Sequence, residues 1–236
     1  MCGRYVSPEE AAIERVWNLT RGGGDPFTRN FNVAPTTRVP LLRRDPESGH
    51  LELTAARWGL IPVWWKEAKL PVHTINARSE EAATKAMWRN PLRQARCLMP
   101  AEGWYEWQKI ERVDPETGEV KAKKQPHLIY RKGAQPFCFA GLMSSWTPPG
   151  QTDPLLSCSI LTRAASPSVA AVHDRMPVVL PEAAHDAWFD PEITDAAKVM
   201  TIIRECAVHD FDHHAVSTRV NSPKNKDATL TEPIQE

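Results

Sequence analysis

With 236 residues, 42% hydrophobic and 25% charged side chains, the chain has the composition of an ordinary soluble globular protein and enough length for one large core or two small ones. Its 29 basic and 29 acidic side chains cancel, which excludes a nonspecific coat on nucleic acid driven by overall charge and leaves room only for a local basic cleft. Cys2, Cys97, Cys138, Cys158 and Cys206 are scattered, odd in number and contain no C-x-x-C pair, so neither a disulfide framework nor a zinc ribbon is indicated. No apolar run of about 18 residues and no signal-peptide layout occur, and the chain reads as a cytoplasmic protein that does not engage a membrane.

After an opening "MCGRYV", the stretch "SPEEAAIERVW" carries a capping-box pattern: Ser7 as cap, Pro8 at the first helical position and Glu10 three residues after Ser7. "TRVPLLRR" and "HLELTAARWGLI" read as strands around the turn "DPESG". "SEEAATKAMW" predicts a helix capped by Ser79, with two glutamates where the helix dipole favours them. "RCLMP", "GWYEWQKI", "PHLIYRK", "FCFAGLMSSW" and "LLSCSILTRAA" are short apolar or alternating runs between turn residues, the spacing of a β-rich core. The charged "ERVDPETGEVKAKKQ" between two of them reads as a solvated hairpin loop. "PEAAHDAWF" and "TDAAKVMTIIREC" read as helices, "HHAVSTRV" as a last strand, and "NSPKNKDATLTEPIQE" as an irregular tail with a fraying end. No repeat or linker breaks the chain, so one domain, all-β or α+β, over 1–225 and a tail over 226–236 are expected.

Several segments place polar groups where strands normally place packing residues. Asn76 and Arg78 in "HTINARSE" share one side of an extended segment, because side chains alternate with period two. Glu106 stands among Trp104, Tyr105 and Trp107, surroundings that desolvate a carboxylate, raise its pKa and suit it to proton transfer. His173 precedes Asp174, Arg175 and an apolar strand, and an imidazole shuttles protons near neutral pH. Arg4, Arg78, Arg163 and Arg175 each lie beside one of these groups, so their convergence makes a basic cleft in a neutral protein. The adjacent Trp64 and Trp65 cannot both point inward from an extended chain, and an exposed aromatic near arginines can stack on unpaired bases. Cys206, His209, His213 and His214 are only loosely spaced like metal ligands, so no metal site and no cofactor are expected.

Nine stretches in order, "MCGRY", "FNVAPTT", "RWGLIPVWWKE", "INARSEEAATK", "RCLMPAEGWYEW", "FCFAGLMSSW", "ILTRAA", "VHDRMPVVL" and "VSTRVNSPKNK", make the chain resemble the SRAP family, the SOS response-associated peptidases. The resemblance implies a single α+β domain with a twisted, barrel-like, mostly antiparallel β core and peripheral helices. It implies binding of single-stranded DNA containing abasic sites and a covalent thiazolidine bond through Cys2 after Met1 has been removed, a removal the family is thought to carry out itself. By the same correspondence Asn76, Glu106 and His173 complete the active site, while Arg4, Arg78, Arg175, Trp64 and Trp65 face DNA. The protein is then expected to act as a monomer, cytoplasmic and nucleoid-associated when bound to DNA. A peptidase with Cys2 as nucleophile and a noncovalent reader of modified or single-stranded DNA are the alternative functions.

Overall fold

The computed structural model describes residues 2–19, 26–45, 47–67, 69–71, 73–113, 119–133 and 135–234. In chain order its elements are β1 (Tyr5–Ser7), α1 (Glu10–Trp17), β2 (Asn30–Val33), β3 (Arg38–Arg44), β4 (Leu51–Trp58), β5 (Asn76–Arg78), α2 (Ser79–Ala82), α3 (Arg89–Gln94), β6 (Arg96–Ala101) and β7 (Gly103–Val113). They continue with β8 (Val120–Tyr130), β9 (Phe137–Trp146), β10 (Leu155–Ala164), α4 (Pro167–Ala170), β11 (Arg175–Pro177), β12 (Val179–Leu180), α5 (His185–Phe189), α6 (Ala196–Cys206) and β13 (Asp212–Ala215).

Strands β10, β4, β3, β6 and β9 pair in sequence, and β9 pairs back onto β10, which closes a five-stranded barrel. The β4–β10 pair is parallel and the other four are antiparallel. Closure brings backbones close at Gly141, where a β-carbon would stand 2.9 Å from Cys97 Sγ and 3.1 Å from the Ser159 carbonyl oxygen. A second, antiparallel sheet runs β13-β8-β7-β1-β2. Period-two alternation sorts the wall into two faces. Val39, Leu41, Cys97, Met99, Phe139 and Ile160 join Tyr5, Trp104 and Ile129 of the second sheet in one core, while Leu42, Leu98, Ala140 and Leu161 meet Ile13, Leu92, Trp188 and Val199 of the helices in another. Val6, Tyr105 and Leu128, on the far face of the second sheet, are covered by Val216, Val220 and Leu230.

The β3–β4 hairpin forms as predicted, with Asp45 Oδ1 accepting the Glu47 and Ser48 N–H groups and Gly49 at φ 71°. Four local expectations are corrected. The capping box does not form: Ser7 is claimed by β1, opposite Asn30, and α1 starts at Glu10, whose carboxylate accepts the Phe27 N–H instead. Ser79 is the first residue of a four-residue α2 and not its cap. The charged stretch read as a loop is largely ladder, because β7 and β8 pair from Gly103↔Tyr130 out to Val113↔Val120; residues 114–118 lie outside the described residues. The last strand ends at Ala215, where Ser217 turns the chain by accepting the Arg219 N–H. The tail is irregular but docked, with Leu230 fully buried and Val216 bridged to Pro233.

Arg96 holds the helical side together without a carboxylate. Its buried guanidinium donates to the carbonyls of Leu92, Arg93, Trp188, Asp190 and Ile193 at 2.6–3.0 Å, tying α3 to α5 and to the segment before α6. Removing it strands several buried acceptors at once, each with a desolvation penalty of roughly 1–3 kcal/mol. Arg96→Met is therefore expected to lower unfolding free energy by about 3 kcal/mol or more. Urea titration checks this, and a loss below about 1 kcal/mol would show that water readily takes the place of the guanidinium.

Candidate active site

Four elements meet at one edge of the core shared by the barrel and the second sheet. Cys2 precedes β1 and is fully buried there. Asn76 opens β5, which lies parallel to β10 with Asn76 opposite Ile160, and its Nδ2 donates to the Cys2 carbonyl at 2.8 Å. Glu106 lies on β7 two residues after Trp104, so alternation turns it to the same interior face, where it is 2% exposed. His173 sits in the turn between α4 and β11, with Nε2 3.6 Å from Glu106 Oε2. The sequence-predicted quartet Cys2, Asn76, Glu106 and His173 is thus brought together from segments 30 to 74 residues apart in sequence order.

The tautomer of His173 is set by its backbone. Nδ1 accepts the Arg175 N–H at 2.9 Å, which leaves the proton of the neutral ring on Nε2, facing Glu106. Asp174 Oδ1 is also 2.9 Å from Nδ1, a contact that suits a ring carrying a proton on Nδ1, as the imidazolium or the other neutral tautomer does. The Asp174 carboxyl is 87% exposed and screened by water, whereas the backbone donor is fixed, and burial holds the imidazole below its ordinary pKa. The neutral ring with Nε2–H is therefore the resting form. Asn76 Oδ1 is buried and accepts no hydrogen bond among the described residues.

Burial dominates the other two titrating groups. It pushes the Glu106 carboxyl up to about 7, and it drives the Cys2 thiol well above its ordinary range, with the nearby Glu106 charge adding to the rise. At neutral pH the site then holds a neutral thiol, a neutral imidazole and a carboxyl poised between its two forms. Because the Glu106 pKa is higher folded than unfolded, the native state binds the extra proton between about pH 4.5 and 7, and stability falls as pH rises through that window. Over the window the loss is on the order of 3 kcal/mol, from 1.36 kcal/mol per pKa unit. Glu106→Gln is expected to flatten this dependence, gaining on the wild type as pH goes from 5 to 8. Thermal melts across that range check it, and parallel curves for the two proteins would show that the carboxyl titrates as an ordinary exposed one.

The other predicted residues surround this centre in different ways. Arg175 directs its guanidinium into a bidentate pair with Glu80 at 2.7 and 2.9 Å and donates to the Thr162 carbonyl, leaving it 14% exposed. Arg4 points to the tail side of its sheet, donating to Asn32 Oδ1 and to the Val220 and Asn221 carbonyls. Arg78 remains 52% exposed, 3.6 Å from Glu81. Arg163 packs against His209 instead. Trp64 is 52% exposed beside a half-buried Trp65, whose indole donates to the Lys69 carbonyl, on the connection leading into β5. Glu80 and Asn32 escaped the sequence reading. Asn32 is fully buried inside the quoted "FNVAPTT", and a polar residue in that alternating run was its available signal. A cleft of about 800 Å³, lined by Trp17, Arg131 and His185 among others, contains none of the quartet.

Among curated proteins the chain is 37% identical over 242 aligned residues to the abasic site processing protein YedK of Escherichia coli (strain K12), covering 99% of this chain and 100% of that one. It is 36% identical to the abasic site processing protein YoqW of Bacillus subtilis (strain 168), covering 98% and 99%. A crystal structure of a Bacteroides thetaiotaomicron protein superposes with a TM-score of 0.80 over all of both chains at 20% identity, a likeness of fold. The profile described as SOS response associated peptidase (SRAP) matches residues 1–223, a span that holds Cys2, Asn76, Glu106 and His173. With that match over nearly its whole length, the chain belongs to the SRAP family.

Proposed function

We propose that the protein processes abasic sites in single-stranded DNA by bonding covalently to the ring-opened sugar through Cys2, once hydrolysis has removed Met1. The observation that carries this reading is the clamp on Cys2: its carbonyl is held by Asn76 while its thiol lies within the field of a buried Glu106 that neighbours His173. The relatives named abasic site processing proteins support it. The hydrolysis of the Met1–Cys2 bond is assigned to the protein itself, and no cofactor enters the reading.

An N-terminal cysteine offers an amine and a thiol on adjacent carbons. An α-amino group is roughly 14% neutral at pH 7, against about 0.04% for an ordinary lysine, so it is the better partner for an aldehyde. The amine attacks the aldehyde carbon of the open sugar, the carbinolamine loses water, and an imine forms. The thiol then adds to the imine carbon and its proton ends on nitrogen, closing a five-membered thiazolidine with net loss of one water. His173, with its proton on Nε2, protonates the ring oxygen as the sugar opens. Glu106, with a pKa near 7, takes the ammonium or thiol proton and returns it to the leaving hydroxyl or the imine nitrogen. Asn76 fixes Cys2 through Nδ2, and its buried Oδ1 accepts a sugar hydroxyl or the amine. In the DNA-facing set, Arg78 and Trp64 present the most open surface, and Arg175 meets a phosphate only by exchanging Glu80 for it.

Cys2→Ser keeps the amine and closes the five-membered ring far less readily. Matured wild type incubated with an abasic single-stranded oligonucleotide is expected to give a heat-stable adduct by intact mass, and Cys2→Ser is expected to give none. Equal yields from the two would end the thiazolidine mechanism, and turnover of an unrelated peptide by the matured protein would favour a peptidase.

His173→Ala and Glu106→Gln are expected to slow crosslinking by about 10²–10⁴-fold while approaching the same final occupancy, since proton transfer lowers a barrier and the product bonds belong to Cys2. Single-turnover time courses on folded, Met1-free protein check this. A mutant that crosslinks at the wild-type rate leaves the mechanism, and an early plateau assigns that residue to holding the product.

A further inference from the structure

The β7–β8 ribbon projects past the site and carries charge that the chemistry above does not use. Glu106 is paired with His127, the next pair on the same face is Gln108 with Gln125, and the one after is Ile110 with Lys123. On the opposite face Lys109 stands directly across from Lys124. Lys109, Lys123 and Lys124 are exposed, and none has an ion-pair partner among the described residues. Like charges directly opposite across a ladder are destabilising, so this pair costs stability in the free protein and is relieved by an anion. The acidic residues of the ribbon, Glu111 and Glu119, lie farther out, leaving the root next to the site basic.

The root is also rigid. Gln108 Nε2 donates to the Ala171 carbonyl at 3.0 Å, in the segment that leads to His173, and Gln125 Nε2 donates to the Val216 carbonyl at 2.9 Å. At about 3.4 Å per residue, Lys109 lies roughly 10 Å along the strand from Glu106 and Lys123 roughly 14 Å from it along the ladder. Lys123 shares the face of Glu106, and the long side chains of Lys109 and Lys124 meet the same strand by extending around the edge of the two-stranded ribbon.

We propose that Lys109, Lys123 and Lys124 at the root of the β7–β8 ribbon hold phosphates of the DNA strand on one side of the reacting nucleotide, an inference that rests on the function proposed above. The test replaces all three lysines by glutamine, with the triple arginine variant as a control that keeps the charge. Binding is measured against salt on single-stranded oligonucleotides bearing a non-opening abasic analogue at the centre, the 5′ end or the 3′ end. Loss of three single-strand phosphate contacts is expected to lower the magnitude of the log–log salt slope by about 2, and arginine is expected to restore it. The deficit should persist on one of the end-labelled oligonucleotides and vanish on the other, while crosslinking at saturating DNA keeps the wild-type rate. A glutamine variant with the wild-type slope overturns the proposal while leaving the functional reading intact, as does a deficit equal on both end-labelled oligonucleotides. A wild type that retains none of the oligonucleotides overturns the functional reading and this inference with it.

Discussion

In the proposed function, desolvation of one carboxyl governs the proton chemistry of the site. Glu106 is placed by the alternation of β7, which must turn Trp104 inward to fill the core and turns Glu106 inward two residues later. Trp104 packs edge-on against Phe137, Phe139 and Phe211, so the face of β7 that Glu106 shares is largely aromatic. Moving it to solvent would relieve the fold but return its pKa to the acidic range, far from neutral proton exchange. The site therefore keeps a group that lowers stability as pH rises, the usual relation between a poised active site and its scaffold.

The terminus proposed to react raises the opposite problem, since the first residues of a chain fray unless they are tied down. β1 has only three residues, yet the chain is held on both sides of Cys2's neighbour. Asn76 grips the Cys2 carbonyl, the Arg4 carbonyl accepts the Tyr105 N–H, and the Arg4 guanidinium is locked to Asn32, Val220 and Asn221. Asn32 Nδ2 in turn faces the carbonyls of Val220, Ser222 and Asn225. The C-terminal turns thus buttress the strand that delivers Cys2, which explains why a segment of unremarkable composition is docked and not loose.

The strands from Arg38 to Trp58 and from Arg96 to Tyr105 were legible because their apolar alternation is strong and their turns carry Asp and Gly in the positions that chemistry demands. Asn76, Glu106 and His173 stood out because each puts a polar group where its segment would place a packing residue, while Cys2 and the grouping of the four rested on the family resemblance. Barrel closure was not, since the β9–β10 and β4–β10 pairings depend on long-range register that no local period encodes. The capping signal at Ser7 misled because strand pairing claimed that residue first, and intrinsic helix signals yield to tertiary pairing; at Ser79 the helix forms but starts one residue earlier than the signal. The role of Glu80 was hidden for a similar reason: its partner lies 95 residues away.

That pairing changes the meaning of a conspicuous arginine. A guanidinium gripped bidentately and also donating to a backbone carbonyl is pre-organised, with little side-chain freedom left to lose. Through it α2, which follows Asn76, is fastened to β11, which follows His173 and supplies the N–H that fixes the His173 tautomer. The two arms of the site are consequently one mechanical unit, and a change at Glu80 reaches Asn76 and His173 together. An anion that displaced Glu80 from Arg175 would act on the same unit, so the phosphate contact proposed for this position and the alignment of the quartet are linked through a single carboxylate.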